Sequence, residues 1–121
     1  MTESFVYDTY ALMEIINKNK NYEKYLDGDV IINTFIFAEY CYNLIKNNVK
    51  ERNFLIEEIK TGLRSVNPKL IEDAMKFRHK NKKRKLSMVD CISYLQAENL
   101  GVKFLTGDKR FENMENVEFV K

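Results

Sequence analysis

Short apolar runs separated by helical segments constrain the fold of this chain more than any other feature. The runs are Phe5–Tyr7, Val30–Ile32, Val102–Leu105 and Val117–Val120. None alternates apolar with polar residues, as a strand with one face in water does, so each predicted strand is buried on both faces. Buried strands that alternate with helices indicate an α/β fold, in which helices cover both sides of a parallel sheet.

Helix start and stop signals divide the rest of the chain. Helices are predicted over Thr9–Lys18, from a cap at Asn33 or Thr34 to Asn48, over Val49–Leu63, from Asn67 and Pro68 to about Lys80, and from Ser87 to Gly101. The pair Asn67-Pro68 combines a capping residue with proline at the first helical position, and Gly101 suits a left-handed helix end. In the third of these helices, Phe54 and Leu55 are expected on the inner side.

Composition predicts one folded domain that spans residues 1–121. A chain of this length forms a single core of ordinary size, and its net charge of +2 says little about partners. Cys41 and Cys91 lack the spacing of a zinc site, and we expect both to be reduced. No apolar run approaches the roughly 18 residues of a membrane span, and the amino terminus does not resemble a signal peptide. We therefore expect a cytoplasmic protein that does not enter a membrane.

Four acidic residues stand where a globular chain usually avoids them, beside apolar residues. They are Asp8 after Phe5–Tyr7, Glu39 within the second long helix, Asp90 beside Met88 and Val89, and Asp108 after Phe104–Gly107. A buried carboxylate without a partner takes up a proton or acquires compensating charge. In parallel sheets, ligands bind beyond the carboxyl ends of the strands, which is where Asp8 and Asp108 are predicted. Acids that converge there repel one another, and a hard divalent cation relieves that repulsion.

Each acid also has a simpler structural interpretation. Asp8 is placed to cap the helix that follows it, and Asp108 is placed to cap a short turn at Lys109 to Glu112. The segment Ser87–Asp90 has the spacing of a capping box. Glu39 and Asn43 lie four residues apart on one helix face, which either faces water or lines a polar site. The set as a whole favours a shared site, because four independent coincidences are less expected than one pocket.

The same residues resemble the motifs of the PIN domain family. The resemblance rests on Asp8-Thr9-Tyr10-Ala11-Leu12 after a strand, Glu39 in the second long helix, Ser87-Met88-Val89-Asp90 at a helix start, and Thr106-Gly107-Asp108 with Phe111 after a strand. It covers nearly the whole chain, and the order of the motifs is more specific than any one of them. More narrowly, the chain resembles the compact VapC-like toxin nucleases of prokaryotic toxin–antitoxin pairs.

This resemblance implies a PIN-like fold, a doubly wound and mainly parallel sheet of roughly four or five strands in a three-layer α/β/α arrangement. It implies an endoribonuclease that depends on Mg²⁺ or Mn²⁺, in which Asp8, Glu39, Asp90 and Asp108 are catalytic and bind the metal. The family's hydroxyl after the last strand corresponds to Thr106, which we expect to hydrogen-bond an acid or a phosphate. An RNA substrate, a cognate antitoxin and a homodimer are also implied. The sequence offers no convincing fifth acid, so it leaves open whether one or two ions bind.

A basic cluster precedes Asp90, with seven lysines and arginines and no acid from Lys76 to Lys85. Within it, Lys82, Lys83 and Arg84 are predicted to contact RNA phosphates and to give salt-dependent affinity. The alternative is a solvated helix end, whose carbonyl groups favour cations. Directly after Asp108, Lys109 and Arg110 are predicted to reach a phosphate at closer range.

Two other classes of function remain open on the sequence alone. One is a non-catalytic RNA-binding or scaffold domain of the same fold, which the presence of all four acids disfavours. The other is a phosphatase of the haloacid dehalogenase type. Its chemistry needs a second aspartate two residues after the first, where this chain has Tyr10.

Overall fold

A single parallel sheet forms the centre of the computed structural model, which describes residues 3–121. Its strands are β1 (Ser4–Tyr7), β2 (Asp29–Ile31), β3 (Lys103–Thr106) and β4 (Val117–Phe119). Their order across the sheet is β2-β1-β3-β4, and every neighbouring pair is parallel. The predicted parallel sheet is confirmed. The predicted domain starts at Met1, and residues 1 and 2 lie outside the described part of the chain.

Helices connect these strands. They are α1 (Thr9–Ile16), α2 (Thr34–Lys46), α3 (Arg52–Ile59), α4 (Pro68–Lys80) and α5 (Met88–Leu100). Short 3₁₀ turns follow or join them at Lys20–Tyr25, Lys60–Gly62, Lys82–Arg84 and Lys109–Phe111. No helix within residues 3–121 combines the length and the apolar character needed to cross a bilayer.

The predicted helix ends agree with the observed caps. The Asn33 side chain caps α2, accepting hydrogen bonds from the backbone N–H groups of Phe35 and Ile36. Asn67 caps α4 in the same way, and Gly101 ends α5 with a positive φ of 70°. These short-range signals set the boundaries because each satisfies backbone groups that a helix end leaves without partners.

The order of the strands makes the sheet doubly wound. The chain moves outward from β1 to β2 through α1 and returns through the other helices to β3, on the far side of β1. Because such crossovers are right-handed, the reversal places α1 on one face and α5 on the other. Side chains of both helices, including Leu12 and Ile92, pack with Val6 and Phe104 in one buried core. The predicted three-layer α/β/α fold is confirmed, and its switch point lies between β1 and β3.

The third helix differs from the prediction, because α3 ends at Ile59 and not at Leu63. Tertiary pairing stops it: the Ile32 N–H donates to the Gly62 carbonyl at 2.9 Å, and the Arg64 N–H donates to the Ile32 carbonyl at 2.8 Å. The chain after α3 therefore extends along the free edge of β2. Phe54, expected on the inner side, is 67% exposed, so that expectation was wrong.

Candidate active site

Asp8 and Thr106 meet at the switch point of the sheet. Register pairs Tyr7 with Leu105, and the Asp8 N–H donates to the Leu105 carbonyl at 3.0 Å, which extends the pairing past β1. The Thr106 hydroxyl donates to Asp8 Oδ2 at 2.7 Å. Asp8 stands at the N-cap position of α1, yet among the described residues its side chain makes no capping hydrogen bond. The capping interpretation therefore does not explain this acid.

Asp108 is brought to the same place by the tight turn after β3. The Thr106 hydroxyl, which donates to Asp8, also accepts a hydrogen bond from the Asp108 N–H at 3.1 Å. At Gly107 a Cβ atom would collide with the Val120 carbonyl oxygen and the Tyr10 ring, so the turn needs glycine to pass between them. Asp108 Oδ1 also accepts from the Arg110 N–H at 2.9 Å, which confirms the capping interpretation for this acid.

Asp90 enters the site from the first turn of α5. Its Oδ2 atom accepts a hydrogen bond from the Ser87 N–H at 2.8 Å, and the Ser87 hydroxyl accepts one from the Asp90 N–H at 3.0 Å. This is the predicted capping box, and it fixes the carboxylate against the end of the helix. The capping role does not exclude a second role, because the same Oδ2 lies 3.4 Å from Arg110 Nη2.

The guanidinium of Arg110 lies against the acids. Its Nη2 atom is 2.6 Å from Asp108 Oδ2, and its Nε atom is 3.1 Å from Asp108 Oδ1. Its Nη1 atom donates to the Lys85 carbonyl at 2.7 Å. Sequence reasoning predicted a phosphate contact for Arg110 and missed this pairing. The available signal was the spacing Asp108-Lys109-Arg110, which places an acid and an arginine on the same side of a tight turn.

The pKa values of Asp8 and Asp108 are shifted in opposite directions by their surroundings. Burial raises the pKa of Asp8 to about 7, and repulsion from Asp90, Asp108 and Glu39 acts in the same direction, against the hydrogen bond from Thr106. The pKa of Asp108 is lowered instead, chiefly by its hydrogen bonds with the Arg110 side chain. The other three predicted acids therefore lie near enough to repel Asp8, which is the most buried of the four.

Glu39 lies on the rim of this region, in α2. The Thr9 hydroxyl donates to Glu39 Oε1 at 2.6 Å. A surface groove of about 480 Å³ adjoins the pair and is lined by Thr9, Ala38, Glu39, Tyr42 and Asn43. The face shared by Glu39 and Asn43 thus lines a surface groove, to which Ala38 and Tyr42 contribute apolar surface. Sequence reasoning did not single out Thr9, although its place directly after Asp8, at the start of a helix, is a usable signal.

The predicted phosphate-binding residues differ in whether they contact the site. The turn Lys82–Arg84 joins α4 to the segment before α5, at the same edge of the sheet as the acids. Arg84 Nη1 donates to the Arg110 carbonyl at 2.9 Å, so Arg84 is tied to the site. Lys82, Lys83 and Lys109 are exposed. The structure therefore places Arg110 against the acids, links Arg84 to the backbone of Arg110, and leaves the three lysines exposed.

The available donors suit a hard divalent cation, because they are carboxylate oxygens joined by a threonine hydroxyl. Asp8 and Asp90 are only 5% and 8% exposed, so their charges need compensation. Within residues 3–121, no three Asp, Glu, His or Cys side chains are grouped closely enough to hold an ion as they stand. The donor types fit Mg²⁺ or Mn²⁺, and their observed positions would have to close around the ion.

Comparison with sequence families gives one result. Residues 5–117 match the model of the PIN domain. No curated protein sequence matches the chain.

Solved structures give a second result. A toxin–antitoxin complex from Klebsiella pneumoniae matches with a TM-score of 0.74 at 17% identity, covering 93% of this chain and 94% of that chain. The Mycobacterium tuberculosis toxin VapC20, which cleaves the sarcin–ricin loop, matches with a TM-score of 0.76 at 18% identity, covering 98% and 100% of the two chains. A Pyrobaculum aerophilum protein, PAE2754, matches with a TM-score of 0.63 at 16% identity, covering 90% and 82%. At these identities the likeness shows the fold alone.

Proposed function

This chain belongs to the PIN domain family, and we propose that it is a metal-dependent endoribonuclease, the toxin component of a toxin–antitoxin pair. The observation that carries the proposal is the convergence of Asp8, Asp90 and Asp108 at the carboxyl edge of the sheet. There, burial and mutual repulsion raise the pKa of Asp8 to about 7. A buried acid perturbed by neighbouring acids at a ligand-binding edge is typical of an active site.

Asp8, Asp90 and Asp108 would hold Mg²⁺ or Mn²⁺ directly or through water, and Glu39 would complete the set or orient the attacking water. The bound ion would supply a water of lowered pKa and would neutralise charge on the phosphate oxygens. Thr106 would position the donors, because its hydroxyl donates to Asp8 and accepts from the Asp108 N–H. Hydrolysis adds a water oxygen to phosphorus and breaks the bond to the 3′ oxygen, which leaves a 5′-phosphate and a 3′-hydroxyl.

Cleavage of a labelled, structured RNA tests this proposal. Wild type and Asp90→Asn are compared in Mg²⁺, in Mn²⁺ and in EDTA, and the sarcin–ricin loop cleaved by the Mycobacterium relative is one suitable substrate. We expect cutting that requires metal and is lost in the variant. Asp73→Asn, at a half-buried acid of α4 paired with Lys69, is the matched control and should cut like wild type.

The contacts of Arg110 with the acids support a second candidate function, RNA binding without cleavage. Arg110 already neutralises part of the acidic charge, so the site can exist without a metal. A non-catalytic RNA-binding domain would use this surface without cleaving. Salt-sensitive binding of the RNA, with no cutting in either metal, would replace the nuclease proposal with this one.

Lys82 and Lys83 would bind RNA phosphates beside the acids. Affinity for RNA falls as salt rises, and each phosphate contact to a single strand contributes about 0.7 to the steepness of log affinity against log salt. We expect the double variant Lys82→Gln with Lys83→Gln to make this dependence shallower by up to about 1.4. Arg84 is left in place because it holds the Arg110 carbonyl. The measurement is RNA binding in EDTA from low to high salt.

The control for this pair is Lys46→Gln with Lys50→Gln, which removes the same charge. α2 starts at the carboxyl edge of the sheet and runs away from it, so Lys46 lies about 18 Å along the helix from its start. An equal loss of slope in both double variants would mean that only the net charge matters, and the proposed phosphate track would be rejected.

A cognate antitoxin and a second copy of the chain are the proposed protein partners, and the cytoplasm is the proposed location. Exposed apolar side chains on α2 and α3 support a protein partner: Tyr42 is 65% exposed, Ile45 59% and Phe54 67%. The Klebsiella relative is a chain of a toxin–antitoxin complex. Together these observations favour a surface that a partner covers.

A further inference from the structure

We propose that Arg110 is a built-in counter-ion of the acidic site and that a divalent cation must displace it to bind. This inference rests on the proposed function, since it assumes that the acids hold a metal. Arg110 is then a positioning residue that sets the metal affinity of the protein.

The first argument is that Arg110 uses the same oxygen atoms that a metal would need. Nη2 lies 2.6 Å from Asp108 Oδ2 and 3.4 Å from Asp90 Oδ2. Nε lies 3.1 and 3.2 Å from the two carboxylate oxygens of Asp108, so that carboxylate is gripped at both oxygens. Paired contacts of this kind are among the stronger hydrogen bonds in proteins. A metal that takes Asp108 as a direct ligand must therefore break these contacts, whereas at Asp90 Arg110 lies only near Oδ2.

The second argument is that a divalent ion and Arg110 disfavour each other on these oxygens. A guanidinium and a divalent ion on the same carboxylate pair would repel at short range, most strongly beside the buried Asp90. Asp90 is 8% exposed, and among the described residues Arg110 is the cation that lies within 4 Å of both Asp90 and Asp108. The exchange thus replaces the single positive charge of the guanidinium by the double positive charge of the metal ion. The negative charges of the acids favour this replacement.

The third argument is that Arg110 links the acids to the basic turn. Its Nη1 atom donates to the Lys85 carbonyl at 2.7 Å, and its own carbonyl accepts from Arg84 Nη1 at 2.9 Å. The first of these bonds is lost when the guanidinium moves, whereas the second does not involve the guanidinium and continues to hold the backbone of Arg110. A displaced guanidinium remains beside the acids, where it can bind a substrate phosphate.

Binding of Mn²⁺ to the intact protein tests the exchange without any substrate. Arg110→Gln removes the guanidinium, and Lys109→Gln removes the same charge from the neighbouring residue, which is exposed and belongs to the same turn. Titration calorimetry gives the dissociation constant of each variant. We expect Arg110→Gln to bind Mn²⁺ about 10-fold more tightly than Lys109→Gln does, because no internal cation competes.

Thermal unfolding with and without Mn²⁺ separates this role from a merely structural one. If Arg110 is a counter-ion, Arg110→Gln lowers the melting temperature in EDTA and saturating Mn²⁺ restores it, so the metal-induced rise exceeds that of Lys109→Gln. A structural role lowers the melting temperature equally in both conditions.

The possible outcomes distinguish this inference from the proposed function. Equal Mn²⁺ affinity of the two variants, or weaker binding by Arg110→Gln, would overturn the exchange while leaving the metal site standing. Absence of Mn²⁺ binding in wild type and in both variants would overturn the metal site and the exchange together.

Discussion

Asp8→Asn is expected to lower metal-dependent RNA cleavage by about 10³-fold and, without metal, to make the protein more stable at pH 8. Both effects follow from the position of Asp8, which is 5% exposed and repelled by the other acids. The substitution keeps the shape of the side chain and leaves an oxygen to accept the hydrogen bond from Thr106. It removes only the negative charge, which is needed for the metal and is unfavourable without it.

The pH dependence of stability follows from the raised pKa of Asp8. In the folded protein this pKa is about 7, against an ordinary value of 3.8. The folded state thus holds a proton that the unfolded chain releases at lower pH. The resulting stability is fully present below about pH 4, falls as the pH rises and is lost above about pH 7, a change on the order of 4 kcal/mol. The asparagine side chain of Asp8→Asn cannot titrate, so this slope should disappear in the variant.

Chemical denaturation in EDTA at pH 4.5, 6 and 8 measures this effect. Wild type should lose stability across the series relative to Asp8→Asn, and saturating Mn²⁺ should restore wild type only. Asp27→Asn, at an exposed acid before β2, is the control and should follow wild type. If the stability of Asp8→Asn fell with rising pH as much as that of wild type, the pKa of Asp8 would not be the cause of the pH dependence.

Thr106→Val is expected to destabilise the protein by about 2 to 3 kcal/mol and to lower cleavage by about 10- to 100-fold. Thr106 is fully buried, and valine has nearly its shape without the hydroxyl. The change leaves Asp8 Oδ2 without its hydrogen-bond donor and the Asp108 N–H without its acceptor. It also raises the pKa of Asp8 further, because the lost hydrogen bond is the contact that lowers it.

Thr106→Ser is the matched control, since serine keeps the hydroxyl and removes only a methyl group. We expect it to retain most of the activity and the same pH dependence of stability as wild type. Denaturation and RNA cleavage with both variants supply the measurement. Similar losses in the valine and serine variants would assign the effect to packing and would contradict the role of the hydroxyl.

The class of fold and many helix ends were predictable because their signals are local. Fully apolar runs such as Phe5–Tyr7 have one suitable environment, a strand covered on both faces, and that environment requires a parallel sheet. The caps at Asn67, Ser87 and Gly101 bond backbone groups only a few residues away, so the short local sequence is enough to predict them. The end of α3 was missed because its cause lies far away in the chain, in the pairing of Gly62 and Arg64 with Ile32.

The sequence thus determines the class of fold and the family. It also shows which charged residues stand next to the apolar strands. Which of these charges interact is set by the folded arrangement. Asp8 receives its hydrogen bond from Thr106, 98 residues away, and Asp90 meets Arg110 only where α5 and the turn after β3 converge. The physical reason is that the strength of an interaction between charges depends on distance and burial, and only the folded chain sets both.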